Sequence, residues 1–190
     1  MLELLRNKIR ELISISDKDL EVVLDKFKPL SAKKNEILIT GGQQGNQKMF
    51  FIVDGCLRIF YINEDGVDST RLLVFEQEFA TSLISFITGE SSFEFIQALE
   101  PTNLYYISKS DFYELLEIVP IWEKFYRQYL EFAYVTNTNR LRSFITMDAK
   151  ERYKQLLKQN RAIVQRLPNK IVASYINVSQ ETLSRLKSKI

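Results

Sequence analysis

Residues 168–190 read PNKIVASYINVSQETLSRLKSKI, a pattern that fits two short amphipathic helices joined by a tight turn. Counted from Asn169, small Ala173 falls where two crossing helices come closest. Asn177 falls at the turn, where a left-handed backbone is wanted. Val172, Ile176, Val178, Leu183 and Leu186 occupy the positions that seal the pair. Together these residues spell a helix-turn-helix, the motif whose second helix enters the DNA major groove.

Projected down the second helix with Gln180 at the origin, Leu183, Leu186 and Ile190 cluster between about 240° and 300°. Gln180, Glu181, Ser184, Arg185 and Ser188 spread over the opposite side. Ser179 is placed as the N-cap, and its hydroxyl or the free N–H groups behind it can hold a phosphate. Arg185 suits guanine O6 and N7, Gln180 suits adenine, and Glu181 can accept from cytosine N4. A carboxylate facing a polyanion is unfavourable unless it reads a base or orients an arginine, so Glu181 is informative. The expected DNA-contacting set is Ser179, Gln180, Glu181, Thr182, Ser184, Arg185, Ser188 and Lys189. The competing reading is a solvated polar face on a small helical subdomain.

Composition narrows the field. The 190 residues suit one large domain or a medium domain plus a small one, and a 45% apolar share can bury a core. No run of eighteen apolar residues and no signal-peptide pattern occurs, so a soluble, cytoplasmic chain is expected, with no membrane partner. The single Cys56 excludes an internal disulfide and any four-thiolate metal site. With no histidine at all, ordinary zinc, haem, Ser-His and Cys-His sites lose their usual ligand or base. An enzyme is not expected, and a cupin-type jelly-roll enzyme would lack its metal-binding histidines. The net charge of +2 hides a division: residues 148–190 carry +7 and residues 1–147 carry −5. A basic C-terminal piece on an acidic body is the charge pattern of a nucleic-acid-binding module on a sensor or scaffold.

Taken in order, residues 2–12 have helical spacing, and Ser16 or Asp17 caps a second helix through about Phe27, which Pro29 ends. Segments 37–40, 49–53, 57–62, 71–75, 93–99 and 104–107 are short, β-branched and aromatic. Turn signals such as Asp54-Gly55 and Asp65-Gly66 separate them. Such a series predicts a β-sandwich or jelly-roll barrel, with one short helix at 81–87. Ser108 and Asp111 start a helix through Ile118. Pro120 then opens a helix to about Phe144, with Trp122, Phe125, Tyr126, Tyr129, Phe132, Ala133, Thr136, Arg140 and Phe144 along one stripe. That stripe is either core packing or a two-fold coiled seam between subunits; the length of the helix favours the seam. Asp148 and Glu151 cap a further helix through Arg166, which makes Met147-Asp148 the natural hinge.

This order of parts resembles the Crp/Fnr superfamily of bacterial transcription regulators. The local matches are IVDGCLRIFY at residues 52–61, the Ser179-Gln180-Glu181-Thr182 helix start, and Arg185. The resemblance spans essentially the whole chain. It implies an α+β architecture: an N-terminal double-stranded β-helix (jelly-roll) of cyclic-nucleotide-binding type over 1–119, a dimerisation helix over 120–146, and a C-terminal helix-turn-helix domain over 147–190. It also implies Gln180, Glu181 and Arg185 as base readers, and a homodimer on a near-palindromic operator. The expected partners are double-stranded DNA, a second copy of the chain through 120–146, RNA polymerase, and an unidentified small-molecule effector.

Two departures from the family stand out. Cyclic-nucleotide binders carry Gly-Glu on the short helix and Arg-Ser or Arg-Thr after it, the arginine neutralising the cyclic phosphate. Here Thr81 and Ser82 replace the first pair, and Ser92 and Phe93 the second. No cofactor is therefore expected, cyclic AMP included, because a bare phosphate would be poorly compensated. A pocket for another ligand would be lined by Thr81, Ser82, Ser91, Ser92, Thr136 and Asn139; alternatively these are helix caps and surface polars. The iron–sulfur cysteine cluster is missing too, and Cys56 reads as a small packing residue. The second departure is at the end: the sequence stops at Ile190, so no wing is expected. Lys150, Arg152, Lys154, Lys158, Arg161, Arg166, Lys170, Lys187 and Lys189 would then supply the phosphate contacts. The expectation is a homodimeric, sequence-specific transcription regulator. Its alternative is a ligand-binding β-roll that signals through protein contacts without DNA.

Overall fold

The structure is a computed structural model that describes residues 1–43 and 47–189. Ile190, assigned above to the apolar face of the last helix, lies outside the described residues. The chain forms two compact units: residues 1–61 with 72–130, and residues 62–71 with the chain from Glu131 onward.

The first unit opens with α1 (Leu2–Leu12) and α2 (Asp17–Asp25), the latter capped by Ser16, whose side chain accepts from the Asp19 N–H. Then come β1 (Lys28–Ala32), β2 (Ile37–Ile39), β3 (Lys48–Asp54), β4 (Leu57–Ile62), β5 (Asp68–Val74) and β6 (Phe79–Ala80), residues 62–71 at the end of β4 and start of β5 grouping with the second unit. Helix α3 (Leu83–Thr88), β7 (Phe95–Ala98), β8 (Thr102–Ser108), α4 (Lys109–Ile118) and the start of α5 (Trp122–Thr146) follow. The strands make two four-stranded sheets, ordered β1-β8-β3-β6 and β2-β7-β4-β5, which is the β-roll that the strand spacing predicts. Two strands escape the sequence pattern. One is β6, only two residues long; the other is β1, which carries Pro29. Proline is tolerated there because β1 pairs only with β8, at a sheet edge.

Strand β3 explains how the unit is layered. Phe50 and Ile52 point into the core between the sheets, with Leu57, Ile59, Ile96 and Leu104. Met49, Phe51 and Val53 point the other way, against Leu5, Ile9, Leu20, Val23, Phe112, Leu115, Trp122 and Phe125. A strand covered on both faces has no polar face to show, hence its unbroken apolar run. Gly55, after β3, has φ +110, a conformation that side-chain-bearing residues rarely adopt.

The stripe on helix α5 begins as core packing: Trp122 and Phe125 are fully buried, with ring centroids 4.1 Å apart, and Tyr126 and Tyr129 pack on the same core. The exposed apolar residues lie further on and partly on another face. They are Phe132, Tyr134, Val135, Leu141 and Ile145, with Tyr134 and Ile145 each 73% exposed. Among the described residues no helix is long and apolar enough to cross a membrane.

The second unit holds the 62–71 segment, the rest of α5, and the helices α6 (Ala149–Arg166), α7 (Asn169–Tyr175) and α8 (Gln180–Lys189). Asp148 and Glu151 form a reciprocal capping box at the start of α6. The helical path of α6 breaks at Asn160 (φ −156°, ψ 85°), a feature the sequence pattern does not show.

Candidate functional site

The DNA-reading candidate is built as the sequence prescribes. Val172, Ala173, Ile176 and Leu183 are buried at the contact between α7 and α8, with Val178 and Leu186 half-buried beside them. Asn177 takes the left-handed conformation at φ 54°, and the Val178 N–H returns to the carbonyl of Ala173 at 3.0 Å. Ser179 is the N-cap: its Oγ accepts from the Thr182 N–H at 3.2 Å, and its carbonyl accepts from the Leu183 N–H at 3.0 Å.

With Leu183 facing inward, Gln180, Glu181, Ser184, Arg185, Ser188 and Lys189 are all exposed, as is Ser179, while Thr182 is half-buried. The Glu181 carboxyl is held below the ordinary carboxylate range, first by a hydrogen bond from the Ser179 hydroxyl and then by its own backbone N–H. It is thus ionised at neutral pH and available only as an acceptor. Arg185 folds back so that Nε donates to the Glu181 backbone carbonyl at 3.4 Å.

Two basic residues expected on phosphates do internal work. Arg152 donates from Nη1 to the Met147 carbonyl at 2.6 Å, from Nε to the Ile176 carbonyl at 2.9 Å, and from Nη2 towards the Asn177 carbonyl at 3.5 Å. It therefore ties the turn of the motif to the start of α6. Lys187 donates to the Asn169 side chain at 2.5 Å, tying the end of α8 to the start of α7. Lys150, Lys154, Lys158, Arg161, Arg166, Lys170 and Lys189 remain exposed, Lys170 lying 3.6 Å from Asp68.

In the β-roll, Thr81, Ser82 and Ser92 are buried and Ser91 is half-buried. Thr81 Oγ1 donates to the Lys48 carbonyl at 2.8 Å, a structural bond to β3. Ser82 and Ser92 meet at 2.6 Å and centre on a residue that the motif comparison passes over, Glu94. The Glu94 carboxylate is 5% exposed and accepts from Ser82 Oγ at 2.8 Å and from the Tyr61 hydroxyl at 2.9 Å. Its backbone N–H donates to Ser92 Oγ at 2.9 Å. Glu94 sits two residues beyond the serine that replaces the family's arginine, so its alternation with Ser92 in the sequence was the available signal. Thr136 and Asn139, half-buried and exposed respectively, lie on the part of α5 that belongs to the second unit.

The chain thus combines a β-roll, a long helix and a helix-turn-helix with an exposed polar face. Residues 29–118 match the model of the cyclic nucleotide-binding domain. Among solved structures, FixK2 from Bradyrhizobium japonicum is similar at TM-score 0.74 and 14% identity, over 86% of this chain and 83% of that one. A regulator assigned to the Crp/Fnr family, from Eubacterium rectale, gives 0.71 and 13%, over 90% and 82%. The catabolite activator protein of Thermus thermophilus gives 0.59 and 18%, over 93% and 84%. No protein of curated function matches the sequence significantly. With that domain match, the chain has the fold of Crp/Fnr-type proteins, as the sequence resemblance implies.

Proposed function

We propose that the chain is a sequence-specific DNA-binding transcription regulator that works as a homodimer, and not an enzyme. The observation that carries this is α8, which buries Leu183 and leaves Gln180, Glu181, Ser184, Arg185 and Ser188 exposed on a preformed, capped recognition helix. In this reading residues 1–119 form the effector domain, 120–146 the dimerisation helix, and 147–190 the reading domain. The second copy covers the exposed Tyr134, Val135, Leu141 and Ile145 of α5. Such a protein acts in the cytoplasm, on double-stranded DNA and alongside RNA polymerase.

The β-roll answers to a ligand other than cyclic AMP. A phosphate brought near Ser82 and Ser92 would meet the buried Glu94 carboxylate, and like charges in a poorly solvated site repel strongly. Calorimetry is expected to show no cyclic AMP binding; micromolar binding would refute this part of the reading.

The main test selects an operator from random DNA and measures binding at several salt concentrations. Arg185→Ala should cost about 1–3 kcal/mol on the selected operator and relax specificity at one base pair. Lys189→Ala should weaken all sequences alike and lower the salt slope by about one. Equal losses for Arg185→Ala on specific and random DNA would defeat the assignment. A dimer with no DNA affinity would favour signalling through protein contacts.

A further inference from the structure

Arg140 stands half-buried where three segments of the second unit meet. Its Nη2 donates to the carbonyl of Thr70, in the 62–71 segment, at 2.7 Å and to the carbonyl of Tyr175, at the end of α7, at 2.6 Å. The guanidinium lies 4.2 Å from the centroid of the Tyr175 ring and 4.7 Å from that of Phe144. Burial holds its pKa below the ordinary arginine value, yet the group stays charged at physiological pH. Its charge is met by two carbonyls, one of them at the negative end of a helix, and by two ring faces.

Neighbouring bonds repeat the linkage. The Thr70 N–H donates to Ser174 Oγ at 2.8 Å, which in turn donates towards the Asp68 carbonyl at 3.3 Å. Arg71 donates to the Asn137 side chain at 2.9 Å, tying the same segment to α5. With these bonds made, Gln180, Glu181, Ser184, Arg185 and Ser188 remain exposed, so the linkage leaves the reading face clear.

We propose that Arg140 is a positioning residue for operator reading: it fixes α7, and through it α8, at one angle on α5. The inference rests on the function proposed above. Two recognition helices of a dimer must enter major grooves one turn apart, about 34 Å along the duplex. If α7 swings on α5, the second helix meets its half-site at a lower effective concentration, and the cost falls on the full operator alone. Lysine is a poor replacement for the arginine, since an ammonium held on the two carbonyls has no planar guanidinium to lay against the two rings.

The test compares the full-length wild type with Arg140→Met and Arg140→Lys on three DNAs: a single half-site, the full palindrome, and the palindrome with one base pair inserted at its centre. Circular dichroism melting confirms that each variant folds. Both variants should match the wild type on the half-site and lose on the order of 10–100-fold on the full operator. Both should also discriminate less against the inserted base pair. Ser174→Ala, which leaves Arg140 in place, should show a smaller loss of the same kind. Unchanged full-site affinity and spacer discrimination would overturn the inference. Tighter binding would do so too, since the linkage would then be inhibitory, and equal losses on half and full sites would mark a general weakening of the motif. A wild type that reads no operator would overturn the proposed function, and this inference with it.

Discussion

Replacing Arg152 with methionine keeps the apolar stem and removes the guanidinium that binds the helix-turn-helix to the start of α6. Two of its bonds are short, 2.6 Å to Met147 and 2.9 Å to Ile176; the third, at 3.5 Å, is too long to count. A hydrogen bond to a charged group contributes about 1.5–3 kcal/mol, and the freed carbonyls recover part of that from water because Arg152 is only half-buried. The net loss is about 2–4 kcal/mol, all of it in the second unit. Urea unfolding with two probes tests both the size and the place. Trp122, the single tryptophan, is buried in the first unit, so its fluorescence follows that unit, whereas far-ultraviolet dichroism follows the helices of both. The dichroism transition should gain an early phase, its midpoint lower by roughly 1–2 M, while the fluorescence transition stays in place. A loss under about 0.5 kcal/mol would show that the guanidinium is as well solvated as a surface group and would refute the reasoning.

Three further outcomes follow from the structure. Gly55→Ala sets a Cβ 2.4 Å from Thr102 Oγ1 and 2.8 Å from Thr102 Cα, at φ +110, so it should cost about 2–4 kcal/mol. An unshifted Trp122 fluorescence midpoint would count against that. Leu141→Glu places a charge on the exposed apolar face of α5 and should turn the dimer into monomer in sedimentation, with the melting temperature kept. A dimer of unaltered strength would move the interface elsewhere. Desolvation of the Glu78 carboxyl raises its pKa above the ordinary carboxylate value, although the residue keeps exposed surface. Ionisation therefore begins to oppose folding as the pH rises past the ordinary value and does so fully above the raised one. Glu78→Gln, whose side-chain oxygen can still accept from the Phe75 N–H, should be more stable than the wild type near pH 7. That advantage should vanish as the pH falls below the ordinary carboxylate value, and a pH-independent difference would disprove it.

What the sequence made legible is what local chemistry decides. Asn177 at the turn, Ser179 at the cap, the Asp148–Glu151 box and Gly55 after β3 are each read from a few neighbouring residues, and each stands as read. The polar set on α8 is likewise exposed where periodicity puts it, apart from half-buried Thr182. Long-range pairing was hidden. Nothing near Arg140 or Arg152 in the chain announces that their partners are carbonyls, because backbone acceptors leave no mark on a sequence. For the α5 stripe, periodicity reports that a face is apolar, not what covers it; Trp122 and Phe125 are covered by the core of the first unit. Glu94 was passed over because its partners Tyr61 and Ser82 come from other elements.

The 62–71 segment runs from the end of β4 into β5, yet it groups with the C-terminal helices through Thr70 and Ser174. Domain swapping by recombinant fusion is therefore less simple here than a single cut suggests. A chimera that grafts residues 147–190 onto another β-roll transfers the reading face but leaves behind Arg140 and Thr70. A transplant that retains its own mounting needs three crossovers, one on each side of residues 62–71 and another before Glu131.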